Sequence, residues 1–75
     1  MDKQFSDSYK NLGLNIAFYR KKRGLTQMQL AELLDIDRSY MSAIELANVG
    51  VSLDVIFNIC KVLSITPKEL FDFRD

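Results

Sequence analysis

Between Leu34 and Glu45 the chain reads LDIDRSYMSAIE. This stretch sets one guanidinium, Arg38, among two carboxylates, Asp35 and Asp37, and two hydroxyls, Ser39 and Ser42. A guanidinium is a rigid fork of N–H donors that matches a carboxylate, or the O6 and N7 edge of a guanine. Two readings follow. Arg38 is a solvated surface arginine paired with Asp35 or Asp37, or it reads something outside the protein. Little other chemistry is on offer. The chain has no histidine, which removes the commonest general base and the commonest metal ligand. The single cysteine, Cys60, allows no internal disulfide and, without histidine, no zinc site. Gly13, Gly24 and Gly50 lie too far apart for a phosphate-cradling loop. An enzyme is therefore the weakest function class, and neither cofactor nor metal is expected.

The elements that must position these residues read as helices throughout. Seventy-five residues make one domain. A chain this short buries only about 60% of the surface its unfolded form exposes, so dimerisation would help its thin stability margin. Residues 1–7 read as an N-terminal tail and residues 8–75 as the folded domain. Ser8 is a plausible N-cap for a first helix running to Arg23, with Leu12, Ile16 and Tyr19 at helix spacing and Gly24 as its stop. Thr26, with Gln29 three residues on, forms a capping box for a second helix from Gln27 to Leu34, whose apolar face is Leu30, Ala31, Leu33 and Leu34.

Asp37 then caps a third helix, striped by Tyr40, Met41 and Ile44 and ending near Leu46. Ser52 caps a fourth, with Leu53, Ile56, Ile59, Cys60 and Leu63 on one side. Thr66–Pro67 with Glu69 opens a fifth, from Pro67 to about Phe73. Only about three residues separate the second and third helices, and so short a turn forces a steep crossing, the helix-turn-helix geometry. No apolar run approaches the ~20 residues of a membrane span. The opening MDKQFSDSYKN has no apolar core for a signal peptide. With one cysteine, these features make a cytoplasmic location the expectation.

The stretch LTQMQLAELLDIDRSYMSAIE, Leu25 to Glu45, resembles the phage repressor and Cro family of helix-turn-helix domains. The resemblance rests on Thr26–Gln27, Leu30–Ala31, Ile36, the small polar residues after Asp37, and Ile44–Glu45. It extends upstream through Leu12–Gly13, Ile16 and Arg20 and downstream through Ser52–Leu53, Ile59 and Leu63, covering roughly residues 12 to 71. Within that family, DRSYMSAIE followed by VSL and ELF looks most like the controller proteins of restriction–modification systems. The implied fold is all-α, a five-helix lambda-repressor-like DNA-binding domain. The chain departs from the pattern in three places. Asp35 stands where the turn usually carries glycine, though aspartate tolerates a left-handed backbone better than most residues. Ala47–Asn48–Val49–Gly50–Val51 replaces a loop that often reads glycine, basic residues, then proline. Leu46 stands where controller-like proteins often have arginine.

The resemblance assigns roles residue by residue. The N-terminal half of the third helix would enter the major groove, with Arg38, Ser39, Ser42 and Ala43 facing DNA. Arg38 would bind guanine bidentately, the two serines would reach bases or phosphates, and Ala43 would touch a thymine methyl. Gln27 would bind the DNA backbone and steady the third helix, and the N–H groups after Thr26 would also face phosphate. Tyr40 would be partly exposed with its hydroxyl on a phosphate, and Asn48 would serve in the uncharged loop. Arg20, which a naive reading of YRKKR gives to DNA, would instead pair with Glu45 and set the angle of the third helix. Lys21, Lys22 and Arg23 remain as solvated or long-range steering charges.

The zero net charge hides an asymmetry: residues 1–24 sum to +4 and residues 25–75 to −4. This is a mixed solvated surface, or a basic patch at the end of the first helix. Leu14 and Phe18, four apart, flank the core stripe and need a cover, from Phe5 or from a partner. Val55, Phe57, Leu70, Phe71 and Phe73 give the C-terminal third more apolar surface than a small monomer buries easily. That surface is read either as ordinary core, for Leu70 and some of the phenylalanines first, or as a two-fold dimer interface, which would let two recognition helices reach half-sites about 34 Å apart. The expectation is a homodimeric, sequence-specific regulator on a palindromic double-stranded DNA operator. The rival is a protein-interaction module of the same fold, of the antitoxin or anti-repressor type.

Overall fold

Each helix in this chain must satisfy its unpaired end groups, and the sequence supplies most of the means locally. The computed structural model describes residues 3–73. A 3-10 turn, Lys3–Phe5, leads into α1 (Ser6–Lys22), followed by α2 (Gln27–Leu34), α3 (Arg38–Glu45), α4 (Leu53–Leu63) and α5 (Pro67–Leu70). At the start of α2, the Thr26 hydroxyl accepts from the Gln29 N–H while the Gln29 side-chain oxygen accepts from the Thr26 N–H. Thr66 and Glu69 do the same for α5, behind Pro67 at the first helical position. Ser52 caps α4 by accepting from the Val55 N–H.

The ends of α1 to α4 share one device. Gly24, Asp35, Ala47 and Ser64 have φ of 72°, 56°, 61° and 56°. After each of them the next N–H reaches back five residues: Leu25 to Arg20, Ile36 to Ala31, Asn48 to Ala43 and Ile65 to Cys60. These are Schellman closures, and the left-handed residue turns the chain sharply out of the helix axis. Between α2 and α3 only Asp35, Ile36 and Asp37 remain, with Ile36 half-buried as the plug between them.

All five helices contribute to one core: Leu12 and Ile16, Leu30 and Ala31, Met41 and Ile44, Ile56, Ile59, Cys60 and Leu63, and Leu70. α3 packs against both α1 and α2, α4 against α2, and α5 against α4 and α1. Among the described residues no helix is long and apolar enough to cross a membrane.

The structure departs from the sequence expectations at four points. α1 begins at Ser6 with Phe5 in the cap position and no side-chain cap, because the preceding 3-10 turn runs straight into it; Ser8 lies inside the first turn. α5 stops at Leu70 rather than near Phe73, and the Asn15 amide takes up the carbonyls of Leu70 and Asp72 that follow from this early end. Leu33 is 60% exposed: the inward arc of α2 is centred on Leu30, Ala31 and Leu34, and Leu33 falls about 100° to one side of it. Leu53, in the first turn of α4, is 65% exposed and overhangs an apolar groove beside Phe5 and Tyr9 rather than filling the core.

Candidate nucleic-acid interface

α3 divides by face. Met41 and Ile44 are buried in the core, while Arg38 and Ser39, in its first turn, are exposed. Ser42 and Ala43 are half-buried, because their short side chains lie low between larger neighbours. Asp37 occupies the cap position but makes no side-chain cap bond, so its carboxylate does not occupy the N–H groups at the start of α3. Among the described residues Arg38 forms no ion pair with Asp35 or Asp37. The one cation of this helix therefore points its fork of donors outward from a rigid helical start.

The other end of α3 is held from several sides. Arg20 Nε donates to Glu45 Oε2 at 2.7 Å, and Arg20 Nη2 donates to Oε1 at 3.0 Å. Arg20 Nη1 donates to the Leu25 carbonyl at 2.8 Å, and Gln27 Nε2 donates to Glu45 Oε1 at 3.0 Å. The side chains of Arg20 and Glu45 are only 9% and 5% exposed, so this bidentate pair is desolvated and held by its own hydrogen bonds. One network thus ties the end of α1, the α1–α2 turn, the first residue of α2 and the last residue of α3. Gly13 adds a steric constraint. A Cβ there would overlap the Glu45 carbonyl, so the missing side chain is what lets the α1 and α3 backbones touch.

The remaining predicted positions are distributed around this bracket. Thr26 is exposed, and its hydroxyl oxygen is engaged with Gln29, which leaves the O–H as a donor. Gln27 is half-buried and its amide nitrogen donates to Glu45, so that it steadies the third helix from the start of α2. Tyr40 is half-buried and packs against the core cluster, while Asn48 is exposed just after the Ala47 turn. In the C-terminal third, Phe57 and Phe71 are 52% and 45% exposed, and Val55 and Phe73 are half-buried. Leu70 corrects the expected dimer surface. It is fully buried beneath α1 and α4, so it belongs to the core of its own chain.

Two polar side chains, one in α1 and one at its C-terminal end, do work that the sequence reading missed. Asn15, 4% exposed, donates to the Leu70 carbonyl at 2.8 Å and the Asp72 carbonyl at 3.1 Å. Arg23, left among the solvated charges, donates to the Leu63 carbonyl at 2.7 Å and the Ser64 carbonyl at 3.2 Å, closing the end of α4. For Asn15 a signal existed, an amide on the same stripe as Leu12, Ile16 and Tyr19. Lys22 instead lies over the Phe18 ring, 6.0 Å from its centroid, and Phe18 meets Tyr19 edge-on. Cys60 is buried, and burial first, with the charge of Glu69 adding, pushes its thiol up from the ordinary 9.0. No group of three or more His, Cys, Asp or Glu among the described residues could hold a metal ion.

Comparison with known proteins agrees with this architecture. Residues 16–70 match the family model described as Helix-turn-helix. The chain is 44% identical over 52 residues to Control protein C.BamHI of Bacillus amyloliquefaciens, a match spanning 69% of this chain and 64% of that protein. Among solved structures it superposes on the restriction-modification controller protein C.AhdI from Aeromonas hydrophila with a TM-score of 0.83 and 33% identity. That match covers 88% of this chain and 96% of that one. A hypothetical transcription factor, NHTF from Neisseria, superposes with a TM-score of 0.82 and 28% identity over 93% of this chain and 76% of that one.

Proposed function

The chain belongs to the helix-turn-helix family, and on that premise we propose that it is a homodimeric, sequence-specific DNA-binding regulator of transcription, of the restriction–modification controller type. The observation that carries this is the exposed start of α3, with Arg38 unpaired among the described residues and the far end of the same helix locked by Arg20, Glu45 and Gln27. The likeness to two controller proteins supports the subtype. In this reading α3 enters the major groove, Arg38 binds a guanine edge, and Ser39, Ser42 and Ala43 line the adjoining base edges. Phosphate contacts come from the Thr26 hydroxyl, the second N–H of the Gln27 amide, the Tyr40 hydroxyl and Asn48. Phe57, Phe71, Val55 and Phe73 form the two-fold face, which sets two α3 helices on the half-sites of a roughly palindromic operator, and the protein works in the cytoplasm.

The test is binding to the DNA upstream of its own gene, followed with Arg38→Ala on a set of single-base operator variants. The substitution is expected to cost about 1–3 kcal/mol and to relax specificity at one symmetric pair of positions. A uniform loss across all sequences would remove the base-reading role. Because the net charge is zero, affinity has to rest on few phosphate contacts. Even so, a dimer neutralising about six phosphates should weaken steeply between low and moderate salt.

A further inference from the structure

α1 and the residue that ends it carry three polar side chains, and each of them holds the C-terminal end of a different helix. Arg20 holds α3 through Glu45, Arg23 holds α4 through the Leu63 and Ser64 carbonyls, and Asn15 holds α5 through the Leu70 and Asp72 carbonyls. Asn15 and Arg20 lie in α1 and Arg23 directly follows it, and their partners lie 55, 25 and 40 residues further along the chain. α1 is thus the common reference for the helix that would read DNA and for the helices that would meet a second copy. Of the three, Asn15 has the most to position. α5 is a single turn, Pro67–Leu70, too short to hold itself in place. The residues after it have no helix to set their course, and Phe71 and Phe73, with ring centroids 6.1 Å apart, are carried on that stretch. The buried Asn15 amide grips the backbone on both sides of Phe71, at Leu70 and at Asp72, and the side chain of Leu70 seals the turn from the core side.

We propose that Asn15 is a positioning residue for dimerisation: by clamping the Leu70 and Asp72 carbonyls to α1 it fixes the Phe71–Phe73 aromatic pair in register with α3, so that two copies associate with their recognition helices correctly spaced. The inference rests on the homodimer reading above. Asn15 touches neither DNA nor the second copy; it acts through α5. Its amide is the only part that can do this, because both partners are carbonyls and need two N–H donors from one side chain. Serine can supply one donor and alanine none.

The experiment is sedimentation equilibrium of the full chain and of Asn15→Ala and Asn15→Ser, with backbone amide spectra recorded on the same samples. Ile16→Val, a core change in α1 that removes apolar volume and no hydrogen bond, serves as a control for general loss of stability. The expected result is a dimer dissociation constant raised tenfold or more in Asn15→Ala and by less in Asn15→Ser, with no change in Ile16→Val. Besides the neighbours of position 15, amide shifts should fall on residues 68–73 and on the dimer face around Val55 and Phe57, while α2 and α3 keep theirs. If the wild-type chain is a monomer at every concentration, the homodimer reading falls and this inference falls with it. If the wild type dimerises and a folded Asn15→Ala dimerises equally well, only the positioning role is overturned. If Asn15→Ala loses the α2 and α3 signals together with those of α5, or if Ile16→Val weakens the dimer as much as Asn15→Ser does, Asn15 is an ordinary structural residue and the proposal is likewise overturned.

Discussion

The two ends of α3 are built on opposite principles. At its start, Arg38 and Ser39 face solvent and Asp37 leaves the first N–H groups without a side-chain cap. At its end, Glu45 is buried, bidentately bound by Arg20, bonded by Gln27, and pressed against Gly13. An eight-residue helix cannot hold its own direction, since helices this short are marginal in water. The contrast teaches that the rigidity of the exposed end is borrowed from the buried one. A side chain that must meet an external partner has to stay unpaired, so the order it needs comes from elsewhere along the same helix.

The sharpest way to break this contrast is to remove Glu45. Glu45→Ala leaves the Arg20 guanidinium buried without its carboxylate, a change that typically costs about 3–5 kcal/mol. The expected outcome is a large drop in the urea midpoint, with α3 amides exchanging faster than those of α4. A loss below about 1 kcal/mol would mean that the bracket contributes little and that packing alone orients α3. Gly13→Ala attacks the same end sterically. The added Cβ would overlap the Glu45 carbonyl, and backbone cannot swing aside as a flexible side chain can. A loss of about 1–3 kcal/mol is expected, despite alanine being the better helix former, which alone would stabilise by up to about 1 kcal/mol. Arg38→Ala, at the open end, should leave the unfolding curve within about 0.5 kcal/mol of wild type while it alters operator binding. Together the three substitutions separate a helix that is held from a surface that is used.

What was legible in the sequence follows the same division between local and distant causes. The capping box Thr26–Gln29, the N-cap Thr66 ahead of Pro67 and Glu69, the bounds of α2, and the inward turn of Met41 and Ile44 all depend on residues within one helical turn, and the structure has each of them. The Arg20–Glu45 pair came from the family resemblance rather than from spacing; no local rule links residues 25 apart. Asn15 and Arg23 escaped for that reason. Each caps a helix whose end lies 55 or 40 residues away, so nothing near them in the chain announces the partner. Leu70 stayed open between core and dimer surface because a one-turn helix has no periodicity from which its inward side can be judged.

Ala47 marks a smaller seam between the held and the open parts. It closes the end of α3 with φ 61°, a conformation that suits glycine and strains a residue with a Cβ. Ala47→Gly should relieve that strain, stabilising the domain by about 1 kcal/mol at most, after the greater flexibility of glycine in the unfolded chain is set against it. Thermal unfolding would show the gain as a small rise in Tm. A fall in Tm would mean that the loop, Ala47–Val51, depends on the alanine methyl for packing.

The smallest expected effect sharpens the comparison at its capped counterpart, where helix starts differ in their response to acid. α2 is closed by a glutamine and α5 by a glutamate, with the same geometry. The Thr66 backbone N–H first, and its hydroxyl second, hold the Glu69 carboxyl below its usual 4.5. A group whose pKa is depressed on folding stabilises above its unfolded value, and that contribution is lost as the pH falls through the folded value. Below about pH 4.5 the α5 cap should therefore weaken while the α2 cap, which has nothing to titrate, stays intact. Amide exchange of Glu69 and Leu70 measured from pH 6 to pH 3, after correction for intrinsic rates, should show protection falling at α5 and constant at Gln29 and Leu30. Glu69→Gln should abolish that difference between the two helices. If acid loosens both helix starts together, the titrating group lies elsewhere and the two boxes are equivalent.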